Sequence, residues 1–279
     1  MAINPPASAF GCVNAILNGR SARHYESRFA GPLSVKAVIS GRATWETDDG
    51  RYELVPGSVL LLNDGEEYLI TVDALQPVET FCFFFERGFV EDAYRAATNG
   101  SARLLDGQAG LPALHFDERL HFDSPLVDEV LRAHRDRSAL AESFYSLALQ
   151  LVRAQARFGE RIAKLPSLRA ATREELARRL GVATSYLHAN SARGVTVAEA
   201  ARAACLSPFH FHRLFTRFHG ITPHRYLARL RLERARALLR ADDGSVLDVA
   251  VACGFESLGS FSALYKKTFG VTPSGVRRR

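Results

Sequence analysis

The sequence predicts an α+β protein of several domains: an N-terminal β barrel or sandwich, a helical middle and an all-α C-terminal module of paired helix-turn-helix units. Three observations predict it. Residues 29–86 break into short alternating or apolar runs separated by turn residues, residues 89–189 carry helical periodicity, and the last 90 or so residues contain an internal repeat. With 279 residues, 47% hydrophobic and 24% charged, the chain is an ordinary globular sequence long enough for two modest cores.

The β region is read from six candidate strands, at 33–39, 43–46, 51–54, 58–62, 68–72 and 78–86. Asp48-Asp49-Gly50 reads as a hairpin turn and Pro56-Gly57 as a second turn. Many short, closely spaced strands suit a barrel or sandwich. After Gly88 helices are expected at 89–98, 125–134, 140–158 and 173–189. The third places Leu140, Phe144, Leu147, Leu151 and Ala154 on one face, which is read as a homodimer interface in preference to packing on the barrel. REELARRLGVATSYL (173–187) is read as the lead-in helix between domains.

The repeat lies further on. Residues 197–222 recur at 247–272 with a constant offset of 50 and no gap, pairing Ala200 with Ala250, Ser207 with Ser257, Phe211 with Phe261 and Gly220 with Gly270. Each copy parses as two helices around a tight turn. Thr196 and Glu199 form a capping box, and Ser207-Pro208 is an N-cap followed by proline at the first helical position. Phe211, Leu214, Phe215 and Phe218 make one buried stripe, and Gly220 ends the helix. The second copy has a helix at 246–252, a turn at Gly254-Phe255 and Ser257 as cap. Between the copies RYLARLRLERARALLR (225–240) is one helical rod of about 24 Å, able to hold two helices in successive major-groove segments about one turn apart. Its Arg229, Arg231, Arg234, Arg236 and Arg240 point outward in this reading, toward phosphates or into ion pairs with Glu233.

Charge agrees with the division. From Asn190 onward there are 15 Lys and Arg against 6 Asp and Glu, and before it 21 against 24, within a net charge of +6. A basic module tethered to a slightly acidic one suits a polyanionic partner, although a solvated basic face gives the same count. Cys12, Cys82, Cys205 and Cys253 are scattered without metal-ligand spacing and read as reduced, small hydrophobes. There is no signal-peptide pattern and no apolar run long enough for a membrane, so a cytoplasmic protein is expected.

The stretches GFESLGSFSALYKKTFGVTPSGVRR (254–278) and LSPFHFHRLFTRFHGITPHRYLARLRLERARALL (206–239) resemble the AraC family of transcription regulators, over 194–278 almost without a gap. More weakly, PGSVLLLNDGEEYLI (56–70) resembles the cupin-like sensory barrel that precedes such modules. The domain expectation is therefore 1–110 cupin-like effector domain, 111–190 helical linker and dimerisation region, and 191–279 DNA-binding domain.

The resemblance places Phe209, His212 and Arg213 in the groove. Thr216 and Arg217 lie further along the same outward face. Arg213 suits guanine O6 and N7, His212 a base or phosphate, and Phe209 a thymine methyl. Core packing for Phe209 and a surface ion pair for Arg213 are the competing readings. In the second unit the matching positions are Leu258, Gly259, Ser262 and Ala263, poorer than the family pattern. Leu258, Ser260 and Ser262 are expected to contact bases weakly, and Lys266 and Lys267 to reach phosphate.

Metal is not expected. His210 and His212, with His219 and His224, invite a metal reading, but His210 and His212 lie about 200° apart on a helix, and the barrel lacks the HxH of metal-binding cupins, with Glu66-Glu67-Tyr68 where the later histidine would fall. No cofactor is expected, and an enzymatic cupin becomes the weaker alternative. Arg42, Trp45, Glu67 and Tyr68, with Tyr25, are the candidate effector-pocket residues, although such residues are more often simply barrel packing or surface. The expected partners are double-stranded promoter DNA, a small organic effector, a second copy in a homodimer and RNA polymerase. A regulator controlled by a protein partner or by abundance, without effector, is the alternative.

Overall fold

The computed structural model describes residues 1–98, 114–166, 169–241 and 244–276. Eight strands form one strongly curved sheet in the order β1-β2-β7-β3-β6-β8, with β4 pairing β7 and β5. They are β1 (Ala2–Ile3), β2 (Ala15–Ala30), β3 (Ser34–Ser40), β4 (Ala43–Thr47), β5 (Gly50–Leu54), β6 (Ser58–Leu62), β7 (Glu67–Phe84) and β8 (Leu120–Phe122). The 18-residue β7 is the spine: β2 runs along one side, while β4 pairs its first half and β3 its second half on the other.

Strict alternation sorts each strand between two cores. Phe81, Phe83 and Phe85 face outward onto helices, as do Val59 and Leu61, while Cys82, Phe84, Leu60 and Leu62 face inward. That two-sided burial explains runs such as SVLLL and FCFFF. Trp45, Tyr52 and Tyr68 fill the inner side. So does Lys36, whose Nζ donates to Tyr68 Oη at 2.8 Å and lies 3.5 Å from the Phe84 ring centroid. Burial pushes the Lys36 ammonium down to about 7.

Ten helices are described: α1 (Phe89–Thr98), α2 (Pro125–Arg135), α3 (Leu140–Ala163), α4 (Ala170–Asn190), α5 (Val197–Ala203), α6 (Pro208–His219), α7 (Pro223–Arg240), α8 (Val246–Ala252), α9 (Leu258–Phe269) and α10 (Pro273–Val276). The α3 face read as a dimer interface packs on the sheet instead. Leu140, Phe144, Leu147 and Leu151 are buried there, and Phe144 meets Phe83 edge-on at 5.0 Å and Phe85 at 5.5 Å. The helix shares that face of the sheet with α1 and α2, whose Val90, Leu126, Val127 and Val130 belong to the same buried cluster.

Three further readings change. The strands read at 68–72 and 78–86 are one strand. Between them register lapses around exposed Leu75 and Pro77, which has no amide hydrogen to donate. β2 and β1 were not anticipated. β8 comes from within the stretch read as helical linker and adds an edge strand beside β6.

The linker helix α7 is no exposed rod. Leu227, Leu230, Leu232, Ala235, Leu238 and Leu239 are buried, and so is Arg234, which donates to the Glu53 carbonyl at 3.1 Å and to its carboxylate at 2.8 Å. Arg236 and Arg240 pair with Asp123, next to β8, and Arg231 donates to the carbonyls of Ser191, Arg193 and Val195. Only Arg229 makes the anticipated pair with Glu233, at 2.8 Å.

Candidate nucleic-acid interface

The two helix-turn-helix units, α5–α6 and α8–α9, are built from local signals. Thr196 and Glu199 form the capping box of α5, and Ser245 with Asp248 repeats it on α8. Ser207 Oγ accepts from the His210 amide and Ser257 Oγ from the Ser260 amide, opening α6 and α9. Both helices end on a left-handed glycine, Gly220 at φ 76° and Gly270 at φ 74°.

The repeat has one inserted residue, contrary to the gapless reading. α6 and α9 correspond at an offset of 50, but α5 and α8 correspond at 49. The buried counterparts are Ala200 with Val249, Ala201 with Ala250 and Ala204 with Cys253. The left-handed turn residue is Cys205 in the first unit, at φ 52°, and Gly254 in the second, at φ 76°. Leu206 N donates to Ala201 O, and Phe255 N to Ala250 O, so the turns match until the second unit adds a residue before its cap. Alanine-rich helices tolerate a one-residue slip in a sequence comparison, which is why 50 throughout looked adequate.

The residues assigned to the groove line the outer face of α6. Phe209 is 75% exposed and has no part in the core; the Arg213 guanidinium lies 6.0 Å from its ring centroid. His212 and Arg213 are exposed beside it. Thr216 spends its hydroxyl hydrogen on the His212 carbonyl, at 2.7 Å, and Arg217 donates to the Lys164 carbonyl at the end of α3. On α9, Leu258 is 42% exposed, Ser260, Lys266 and Lys267 are exposed and Ser262 is half-buried. Both lysines sit in the last turn.

The proposed effector residues do not come together. Trp45 and Tyr68 are inside the packed barrel, Arg42 pairs with Glu53 at its edge, and Glu67 and Tyr25 are exposed. A large cleft opens elsewhere, between β8 and α3 on one side and α4, α6, α7 and α9 on the other. Buried polar groups cross it. His188 Nδ1 accepts from the Leu120 amide at 2.9 Å, which leaves the proton on Nε2 facing Tyr226 Oη at 2.8 Å. Thr184 Oγ donates to Leu180 O and meets His219 Nε2 at 3.0 Å. Beyond His219, Glu118 pairs with Arg161. Burial pushes both imidazoles down to about 3. The Glu118 carboxyl sits at about 2: its burial acts upward, but the Arg161 charge and hydrogen bond and the nearby histidines outweigh it. Among the described residues, no cluster of three His, Cys, Asp or Glu side chains is placed to hold a metal ion. No described helix is long and apolar enough to cross a membrane.

Two family models match: an AraC-like ligand binding domain over residues 18–165 and a helix-turn-helix domain over residues 200–279. The chain belongs to the AraC family. Among its AraC relatives, the HTH-type transcriptional activator RhaS of Escherichia coli O139:H28 is 38% identical over 105 residues, and that of Escherichia fergusonii 39% over 100. Those matches span 38% and 36% of each relative's length, and the same shares of this chain. An AraC-type regulator structure from Chromobacterium violaceum is 32% identical, covers 39% of this chain and 95% of its own, and has a TM-score of 0.34. ToxT of Vibrio cholerae is 12% identical, covers 95% of this chain and 98% of its own, and has a TM-score of 0.35.

Within this AraC chain, sequence reasoning missed the crossing histidines and the Arg234 anchor. A signal was present: Arg234 stands four residues from both Leu230 and Leu238, on the apolar stripe of α7. His188 likewise follows Thr184 and Leu180 at helical spacing on the buried face of α4.

Proposed function

We propose that the chain is a sequence-specific DNA-binding transcription regulator of the AraC type, controlled by a small-molecule effector, acting as a homodimer and not as an enzyme. The observation that carries this reading is the pair of capped helices α6 and α9, each presenting an exposed N-terminal half from a basic module. The ligand-binding family match over 18–165 supports effector control. Phe209, His212 and Arg213 are the direct readers, with Arg213 on guanine. Leu258, Ser260 and Ser262 add weaker contacts, and Lys266 and Lys267 hold phosphate. Thr216 and Arg217, already hydrogen-bonded within the chain, contribute to positioning. RNA polymerase contact, a cytoplasmic location and the division at 1–110, 111–190 and 191–279 complete the proposal.

The test is a salt titration of duplex binding by fluorescence anisotropy. Wild type should lose affinity steeply between about 50 and 200 mM salt. Lys266→Ala should lower the log–log salt slope by about 1, leaving sequence preference unchanged. Salt-independent binding, or an unchanged slope in Lys266→Ala and Lys267→Ala alike, would remove the phosphate role.

A further inference from the structure

We infer that the cleft between β8, α3 and the C-terminal helices binds a small organic acid that carries hydroxyl groups. The inference rests on the reading that an effector controls this regulator, and adds where that effector sits and what it is.

The cleft has two lobes, of about 360 and 900 Å³, that share Glu118, His121, Arg157, Arg161 and His219. Small-molecule sites fall in the range of roughly 300–1,000 Å³. Among the described residues, its polar lining contains buried atoms without a hydrogen-bond partner: His121 Nε2, Gln155 Oε1 and Ser124 Oγ. The His121 ring bonds the Glu118 carbonyl, and burial lowers its affinity for a proton. Its hydrogen therefore stays on Nδ1, and Nε2 offers a lone pair. His121 Nε2 and Gln155 Oε1 are thus two acceptors waiting for donors, which hydroxyl groups supply. Buried polar atoms are almost always hydrogen-bonded, so a pair left this way points to a ligand that brings donors.

The charge in the cleft points to an acid. Arg161 is committed to Glu118, but Arg157, which lines both lobes, has no hydrogen bond or ion pair among the described residues. Its fork fits a carboxylate. Phe116, Phe158 and Phe218 supply apolar wall for a carbon skeleton.

Both DNA-binding units reach the same space. His219 closes the last turn of α6, Tyr226 lies in the first turn of α7, and Thr268 and Phe269 end α9. A molecule held between His121 and these residues therefore biases how the two units are held, by its different affinity for each arrangement.

The test is thermal unfolding of the full chain with D-gluconate or quinate, with D-glucose and hexanoate as neutral and hydroxyl-free controls. Near saturation at least one hydroxy acid should raise Tm by about 5 °C, and each control by less than about 1 °C. Arg157→Gln and Gln155→Met should abolish the shift, and Arg23→Gln, on an exposed strand residue, should keep it. Equal shifts from hexanoate or glucose overturn the ligand class, and shifts that survive in both cleft variants overturn the site. Duplex binding is measured on the same preparations. Binding of DNA without any acid-induced shift sinks the cleft and leaves the regulator reading standing; a shift without DNA binding does the reverse.

Discussion

Replacing Arg234 by methionine should uncouple the C-terminal module from the barrel. The Arg234 side chain is only 2% exposed and donates two hydrogen bonds across the boundary, to Glu53 O and Glu53 Oε2. Methionine keeps length and packing but supplies no donor. Removing one member of a buried charged pair costs about 3–5 kcal/mol. Here the Glu53 carboxylate is 23% exposed and keeps Arg42, so a figure near 2–3 kcal/mol is expected. With a urea m-value of about 3 kcal/mol/M, that is a midpoint shift of about 1 M. The single tryptophan, Trp45, is buried inside the barrel and reports its unfolding by fluorescence, while circular dichroism reports the helices. In wild type the two probes should trace one transition, and in Arg234→Met the helical signal should unfold first. A coincident, unshifted transition in the variant would refute the anchor.

Further outcomes follow from the turns and from buried titrating groups. Gly254→Ala should destabilise by about 1–2 kcal/mol, because alanine resists φ 76° and its Cβ would lie 3.2 Å from the Arg231 guanidinium. Cys205→Gly, at φ 52°, should instead gain up to about 1 kcal/mol in the same urea assay, and opposite signs would contradict the turn assignment. Stability should fall with pH from about 6.5 toward 3, since His188 and His219 protonate in the unfolded chain well before the folded one. Glu118, held near 2, adds to that loss below its ordinary value of 4.5. On the alkaline side Lys36, near 7 when folded and 10.5 otherwise, makes stability keep rising over that interval, at up to about 1.4 kcal/mol per pH unit. Lys36→Met should flatten that limb; an unchanged slope would show that Lys36 is not the source.

Much of this was legible because short-range rules decide it. Ser207-Pro208, Thr196 with Glu199 and the terminal Gly220 fix their helices through their own backbone bonds, so α6 was readable almost to the residue. β6, apolar on both faces, was equally plain. β2 was not, because it is rich in Arg and other polar residues and much of it faces away from either core, held by backbone pairing to β7. The face of α3 was visible as apolar, but nothing local says which surface covers it. The outward residues of α6 were found from spacing, whereas the cleft was not, because His121, His188 and His219 come to line one space only after β8, α4 and α6 pack. Periodicity also misassigned Arg234, since a charged residue on an apolar stripe is placed by a distant carboxylate.

The central claim, that two units read DNA and the first supplies most of the specificity, is tested most directly by selecting bound duplexes from a random pool. Wild type and Arg213→Ala are run in parallel. The account predicts a long asymmetric site of two blocks about one helical turn apart, with one block blurred in the variant and affinity reduced by about 1–3 kcal/mol. Enrichment unchanged by Arg213→Ala, or altered more by Leu258→Ala, would contradict it.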